Sequence, residues 1–205
     1  MRSYLSFARR LLRGDDVVLV GQSRSRWDEQ FTKGSWTRLI KGMPHTMFMA
    51  GLIIDAFPNG TKILDVGCGN GALARILENV SGVEYIGTDI SMVAIGQARL
   101  TAPRSLFIEH EATEPPPEAK DCNVLVFSDS IYYFDSRVAL PHYATEMPAD
   151  TIIVISITRS WRSPFVINRL RKDLIFTEQY SVCGVGGKYH TWDIICARFR
   201  EQPAN

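Results

Sequence analysis

Residues Lys62–Leu77 read KILDVGCGNGALARIL, and the fold of the whole chain follows from them. Ile63, Leu64 and Val66, with the Lys62 stem, have the apolar density of a short buried strand. Gly67, Gly69 and Gly71 then crowd a turn, and Ala72 to Leu77 repeat apolar residues at helical spacing. Strand, glycine loop and helix in this order leave a backbone free to take left-handed dihedrals and to approach a ligand without an intervening Cβ. The helix start adds unpaired N–H groups facing the same place. Such a loop binds a nucleotide-like molecule.

Two cofactor classes fit the glycines. Gly67, Gly69 and Ala72 satisfy the G-x-G-x-x-A form of the dinucleotide fingerprint, and Asp89 lies roughly 20 residues on, where an acid that binds ribose belongs. Asp65 separates the two. A carboxylate two residues before the first glycine repels a pyrophosphate but suits a cofactor with a cationic amino-acid end. With this acid the run D-V-G-C-G-N-G resembles the first motif of the class I S-adenosylmethionine-dependent methyltransferases, acid-x-G-x-G-x-G. The resemblance spans about Lys62 to Arg200 and implies S-adenosylmethionine as cofactor and S-adenosylhomocysteine as product. It further implies donor contacts from Asp65, Gly67, Cys68, Gly69, Asp89, Ile90, Glu111, Ala112 and Ser128.

Composition bounds the alternatives. The chain has 205 residues, 45% hydrophobic and 22% charged, which fits one globular domain; the resemblance implies an α/β fold with residues 1–60 as a helical cap and 61–205 as a Rossmann-like core. A net charge of +1 argues against a strongly basic surface for nucleic acid, though it leaves room for a local patch, and no N-P-P-Y type motif for a flipped base follows the fourth strand. Four cysteines, Cys68, Cys122, Cys183 and Cys196, are scattered without C-x-x-C or His spacing, so no metal is expected. Cys183 and Cys196 could face each other across the last two strands, but reduced thiols in a cytoplasmic protein are the simpler expectation. No apolar run approaches the roughly 18 residues of a membrane span.

Met1 to Arg13 alternates apolar and arginine positions as a basic amphipathic helix, read as docking on the domain rather than as a targeting or interfacial segment, and Val17 to Val20 as a short strand or connection. Trp27 to Ile40 concentrates Trp27, Phe31 and Trp36 just upstream of the core. These rings suit a cap over the pocket, or plain packing, and W-D-x-x-F resembles a segment of methyltransferases acting on sugars and small natural products. Pro44 to Phe57 reads as a helix stopped by Pro58-Asn59-Gly60.

Val83 to Thr88 is the second strand and ends in Asp89, whose two oxygens are placed for both ribose hydroxyls; Ser91 to Leu100 is the next helix, for which Ser91 and Asp89 are both able caps. After a short strand at Ser105 to Glu109, Glu111 stands where the family carries an acid and His110 where it carries glycine, and the backbone of Glu111 and Ala112 would reach the adenine edge. Pro115 to Pro117 reads as an extended loop, Asp121 to Phe127 as a central parallel strand, and Ser136 to Met147 as a helix. Between these two, Ser128-Asp129-Ser130-Ile131-Tyr132-Tyr133-Phe134 resembles a segment of small N-methyltransferases acting on sugar amines. There Asp129 offers a carboxylate to hold or deprotonate an acceptor, and Tyr132 and Tyr133 offer aromatic faces; a tyrosine in a helix core and Asp129 as an N-cap are the plainer readings.

Thr151 to Thr158 is a fifth buried strand, Arg159 to Lys172 a basic amphipathic helix, and Leu174 to Cys183 with Thr191 to Phe199 a terminal hairpin. Five parallel strands closed by an antiparallel hairpin make the seven-stranded sheet of the methyltransferases, whereas a dinucleotide domain continues with parallel units. The resulting expectation is methyl transfer to an O or N atom of a small polar acceptor, a sugar or secondary metabolite. Asp129 and His142 are assigned to the acceptor chemistry, with His45 and His190 as further candidate bases, and Trp27, Trp36, Tyr132 and Tyr133 are assigned to acceptor binding. A nicotinamide-dependent oxidoreductase and a non-catalytic module that binds S-adenosylmethionine are the competing readings.

Overall fold

A computed structural model describes residues 22–37, 43–184 and 191–200. The N-terminal segment through Val20, the turn after Gly184 and His190 lie outside the described residues. Among the described residues, two helices, α1 (Arg24–Thr32) and α2 (Pro44–Ala56), precede the sheet. The chain then runs β1 (Thr61–Val66), α3 (Ala72–Leu77), β2 (Val83–Asp89), α4 (Met92–Thr101), β3 (Leu106–Glu109), a 3-10 turn (Pro117–Asp121) and β4 (Val124–Ser128). It continues through α5 (Ser136–Glu146), β5 (Ile152–Thr158), α6 (Ser163–Leu170), β6 (Leu174–Cys183) and β7 (Thr191–Phe199).

The strands form one seven-stranded sheet in the order β3-β2-β1-β4-β5-β7-β6. β3, β2, β1, β4 and β5 pair in parallel, and β7 enters antiparallel between β5 and β6. This is the Rossmann-like sheet with an antiparallel closing hairpin that the sequence predicts. Its central strands are apolar on both faces because both faces are covered. Val124 and Val126 of β4 pack toward α2, α3 and α4 with Met49, Leu73 and Ile95, while Leu125 and Phe127 pack toward α5 and α6 with Leu140, Tyr143 and Leu170. Strand order reverses between β1 and β4, so the crevice for a ligand opens at their carboxyl ends.

Several boundaries differ from the sequence reading for local reasons. Asp121 belongs to the 3-10 turn that Pro116 and Pro117 start, and β4 begins at Val124. The helix expected from Arg159 starts only at Ser163, because the Ser163 hydroxyl accepts from Ser160 N (2.7 Å) and donates to Thr158 O (3.0 Å), closing a separate turn. Residues 131–134 form turns and bends, so neither tyrosine is in a helix. The α5 N-cap is Asp135, not Asp129, and it accepts from Arg137 N at 3.0 Å. Cys183 and Cys196 stand in register with Thr191 and Glu178 and are free thiols. No helix among the described residues is long and apolar enough to cross a membrane.

Candidate active site

At the β1–β4 crevice lies a cavity of about 570 Å³. The glycine loop forms its floor. Gly67 (φ 77°), Gly69 (φ 56°) and Gly71 (φ 79°) are all left-handed, and at Gly67 the close approach is as restrictive as the dihedral. A Cβ there would lie 2.6 Å from Ser130 Cβ, and the Ser130 hydroxyl donates to Val66 O, so the β4 exit is pinned under the loop.

The acids of the β1 and β2 ends face this loop. Asp89 accepts from Gly69 N at 3.0 Å through Oδ2 and from Ser91 N at 2.9 Å through Oδ1. Each oxygen thus keeps a lone pair, as a ligand diol requires. Burial pushes its pKa up to about 6, against the opposing pull of the Ser91 and Gly69 N–H groups. Ser91 is the α4 N-cap and accepts from Ala94 N. Asp65 is buried and takes the Tyr85 hydroxyl on Oδ2, while its Oδ1 has no hydrogen-bond partner. Burial first, and the Asp89 charge second, raise its pKa to about 7, with the Tyr85 bond opposing. An orphaned carboxylate oxygen in a cavity wall is costly unless a donor arrives, and an ammonium group is the donor with the matching charge.

The aromatic cap closes over this floor. Trp27 meets Tyr133 edge-on at 4.9 Å and lies 6.1 Å from Trp36, and Phe31, Tyr132, Tyr133 and Trp36 also line the cavity. Polar contacts hold α1 in place. Asp28 accepts from Ser91 Oγ (2.6 Å) and Val93 N (3.4 Å) at the positive end of α4, Asn70 donates to Trp36 O (2.9 Å), and Arg24 pairs with Glu109. In W-D-x-x-F the tryptophan and phenylalanine therefore face the pocket and the aspartate docks the helix.

Cys68, Ile90, Glu111, Ala112, Ser128 and Asp129 also line the cavity, so the sequence-derived site converges there with one exception. His142 does not. It lies on the exposed face of α5, where Nδ1 contacts Thr113 O at 3.0 Å and the Glu114 carboxylate at 3.3 Å. Its place as a catalytic candidate is corrected, because the helix starts at the cavity with Asp135 but His142, further along it, turns its ring to Thr113 and Glu114 on the outer surface. His45 and His110 are the histidines of the cavity lining, and His45 is the one at Asp129. Placed by Pro44 at the start of α2, it stacks on Trp192 with centroids 4.5 Å apart and brings Nε2 within 3.5 Å of Asp129 Oδ2. Burial pushes its pKa down while the Asp129 charge pulls the other way. Asp28, Thr158 and Trp192 were missed, since two of them come from the distant ends of β5 and β7 and carry no local motif.

Comparison with known proteins agrees with this geometry. Residues 63–147 match the family profile described as Methyltransferase domain. The matched stretch runs from β1 to the end of α5. Among solved structures, the N-methyltransferase NodS from Bradyrhizobium japonicum, in complex with S-adenosyl-l-homocysteine, is similar at 16% identity and a TM-score of 0.68, over 87% of this chain and 98% of that one. Magnesium protoporphyrin IX methyltransferase (ChlM) from Synechocystis, with bound SAM, matches at 17% identity and 0.64, over 89% and 100%. A TehB-like SAM-dependent methyltransferase from Corynebacterium glutamicum matches at 21% and 0.59, over 74% and 87%. At these identities the likeness is one of fold. No curated protein matches the sequence. The sheet is that of the class I S-adenosylmethionine-dependent methyltransferases, the profile match over residues 63–147 agrees with it, and the antiparallel β7 does not favour the nicotinamide reading.

Proposed function

We propose that the methyltransferase moves a methyl group from S-adenosylmethionine to an O or N atom of a small polar acceptor, a sugar or other metabolite, in the cytoplasm. The observation that carries this reading is the orphaned Asp65 oxygen beside the left-handed glycine loop and Asp89. Together they supply a counter-charge for an ammonium, a backbone cradle and a diol acceptor within one cavity. Bound there, S-adenosylmethionine supplies an electrophilic methyl on a sulfonium. Asp65 would hold the amino end and Asp89 the ribose. Gly67, Cys68, Gly69, Ile90, Glu111, Ala112 and Ser128 would surround the remainder.

The protein's own part in the reaction is placement and exclusion of water. Trp27, Trp36, Tyr132 and Tyr133 would enclose the acceptor, with residues 1–60 as the cap and 61–205 as the catalytic core, and Asp129 would face the acceptor from the β4 end. An enclosed site of this size suits a small acceptor rather than a nucleic acid. Calorimetric titration with S-adenosylmethionine, S-adenosylhomocysteine and NADH tests the reading. Binding of the first two alone is expected, and binding of NADH alone would overturn it. Binding of the donor with no transfer to any sugar or amine acceptor would favour the non-catalytic module.

A further inference from the structure

The donor accounts for Asp65, Asp89 and Glu111, but it leaves the opposite end of the cavity unexplained. Asp129 has φ 54°, the one left-handed non-glycine residue among those described. Its backbone is held by Ser156, whose Oγ accepts from Asp129 N at 2.9 Å. Thr158 N donates to Oδ1 at 2.7 Å, and Thr158 Oγ1 and Trp192 Nε1 donate to Oδ2 at 3.0 and 2.9 Å. An ionised carboxylate accepts about four hydrogen bonds. Three are supplied here, two of them to Oδ2, so Oδ1 retains one lone pair.

All three donors are neutral groups. They orient the negative charge without cancelling it. The ion-pair partner in reach is His45, with Nε2 at 3.5 Å, and its burial favours the neutral ring. Among the described residues that line the cavity there is no lysine or arginine. Around this uncancelled charge stand Tyr132 and Tyr133, 4.6 Å apart, with Trp27 edge-on to Tyr133. Aromatic faces attract cations, and a carboxylate amid them favours an ammonium over a neutral or anionic group.

We propose that the acceptor is an amine, recruited as its ammonium by Asp129 Oδ1 and the wall of Trp27, Tyr132 and Tyr133, and that this end of the cavity rejects carboxylates and phosphates. The proposal rests on the methyl-transfer reading and specifies its acceptor. The bound ammonium releases one proton to water. The nitrogen lone pair then forms the new N–C bond as the methyl–sulfur bond breaks with its electron pair staying on sulfur, and the product leaves as a methylammonium.

The test uses the full chain saturated with S-adenosylhomocysteine and two matched probe series, phenethylammonium, 2-phenylethanol and phenylacetate, then glucosamine, glucose and glucuronate. Calorimetry should show the ammonium member binding at least ten-fold tighter than the carboxylate and several-fold tighter than the alcohol. Asp129→Asn should bring that preference below about three-fold while S-adenosylhomocysteine affinity stays within two-fold, as loss of a charged partner predicts. Trp27→Leu, which leaves the carboxylate network intact, should weaken the ammonium probes more than the alcohols. Equal affinity across both series, including no binding by any probe, overturns the proposal, and so does a preference that survives Asp129→Asn. Failure of S-adenosylhomocysteine to bind refutes the donor reading instead, and the ammonium preference is then measured on the unliganded chain.

Discussion

Gly67→Ala probes the junction on which the site depends. The new Cβ would sit 2.6 Å from Ser130 Cβ and 3.2 Å from Ser130 Oγ, well inside the roughly 3.5–4.0 Å at which carbon atoms pack, and neither side can yield freely. Ser130 is buried and its hydroxyl is engaged on Val66 O, so relief requires the β4 exit to move about 1 Å away from the loop. Overpacking of this kind costs about 1–3 kcal/mol. The left-handed φ of 77° adds about 1–2 kcal/mol for any residue with a Cβ. The total expected loss is about 2–5 kcal/mol, with donor affinity falling as the loop shifts.

The two contributions separate in a double-mutant cycle. Ser130→Gly removes the clashing atom and the hydroxyl, at a cost of about 1–2 kcal/mol for the lost hydrogen bond and added chain entropy. In the double variant the steric part of the Gly67→Ala penalty should disappear and the dihedral part should remain. Urea unfolding followed by tryptophan fluorescence should therefore show the double variant about 1–3 kcal/mol more stable than the sum of the single losses. Additivity within about 0.5 kcal/mol would mean that Gly67 and Ser130 do not press on each other, and the argument for a pinned loop would fail.

Other expectations follow from the acids and the histidines. Asp65 holds a proton in the folded state up to about pH 7 that the unfolded chain releases near its ordinary value of 3.8, so its contribution to stability is full below pH 4 and declines as pH rises to 7. Asp65→Asn should flatten that part of the unliganded protein's stability profile and raise stability at pH 8, while donor affinity drops; an unchanged profile would place the proton elsewhere. For Asp89, pushed up to about 6, hydroxyls of a bound ribose favour the ionised form, so S-adenosylhomocysteine should bind about ten-fold tighter at pH 7 than at pH 5 through this group. Asp89→Ala should weaken donor binding by about 1–3 kcal/mol in calorimetry, and an unaltered affinity would remove it from the ribose role. His142→Ala, on exposed α5, should leave kcat and KM for the methylated acceptor within two-fold; a loss of ten-fold or more would return it to the active site.

The core of this protein is legible because its signals are local. Ile63, Leu64 and Val66 of β1 and Val124 to Phe127 of β4 put apolar residues on both faces, and the glycine run between β1 and α3 sits where a parallel strand order must reverse, so sheet and donor floor follow from short windows. The acceptor end is built differently. Asp129 reads in isolation as a helix cap or a base, and its environment is supplied by Thr158 at the end of β5, Trp192 at the start of β7 and His45 at the start of α2. None of these contacts leaves a spacing in the sequence. His142 illustrates the converse, a histidine near Asp129 in sequence that α5 carries to the outer surface.

That division has a chemical consequence. The glycine loop and Asp89 of the donor floor come from two adjacent βα units, with Ser130 after β4 pressed beneath Gly67. The Asp129 network draws one residue from each of several distant elements, His45 of α2, Thr158 of β5 and Trp192 of β7, and is joined through the Asp129 carboxylate. Replacing Trp192 removes the donor to Asp129 Oδ2 and the ring on which His45 stacks, without touching Gly67, Gly69 or Asp89. Trp192→Phe keeps a stacking face for His45 and deletes the N–H together with part of a buried ring. It should therefore cost about 2–4 kcal/mol of stability, the lost hydrogen bond and the cavity together, and alter acceptor KM, with S-adenosylhomocysteine affinity unchanged. A loss of donor affinity equal to the loss of acceptor affinity would show that the two ends of the cavity are coupled through Asp129, and that the acceptor wall is not an independent module.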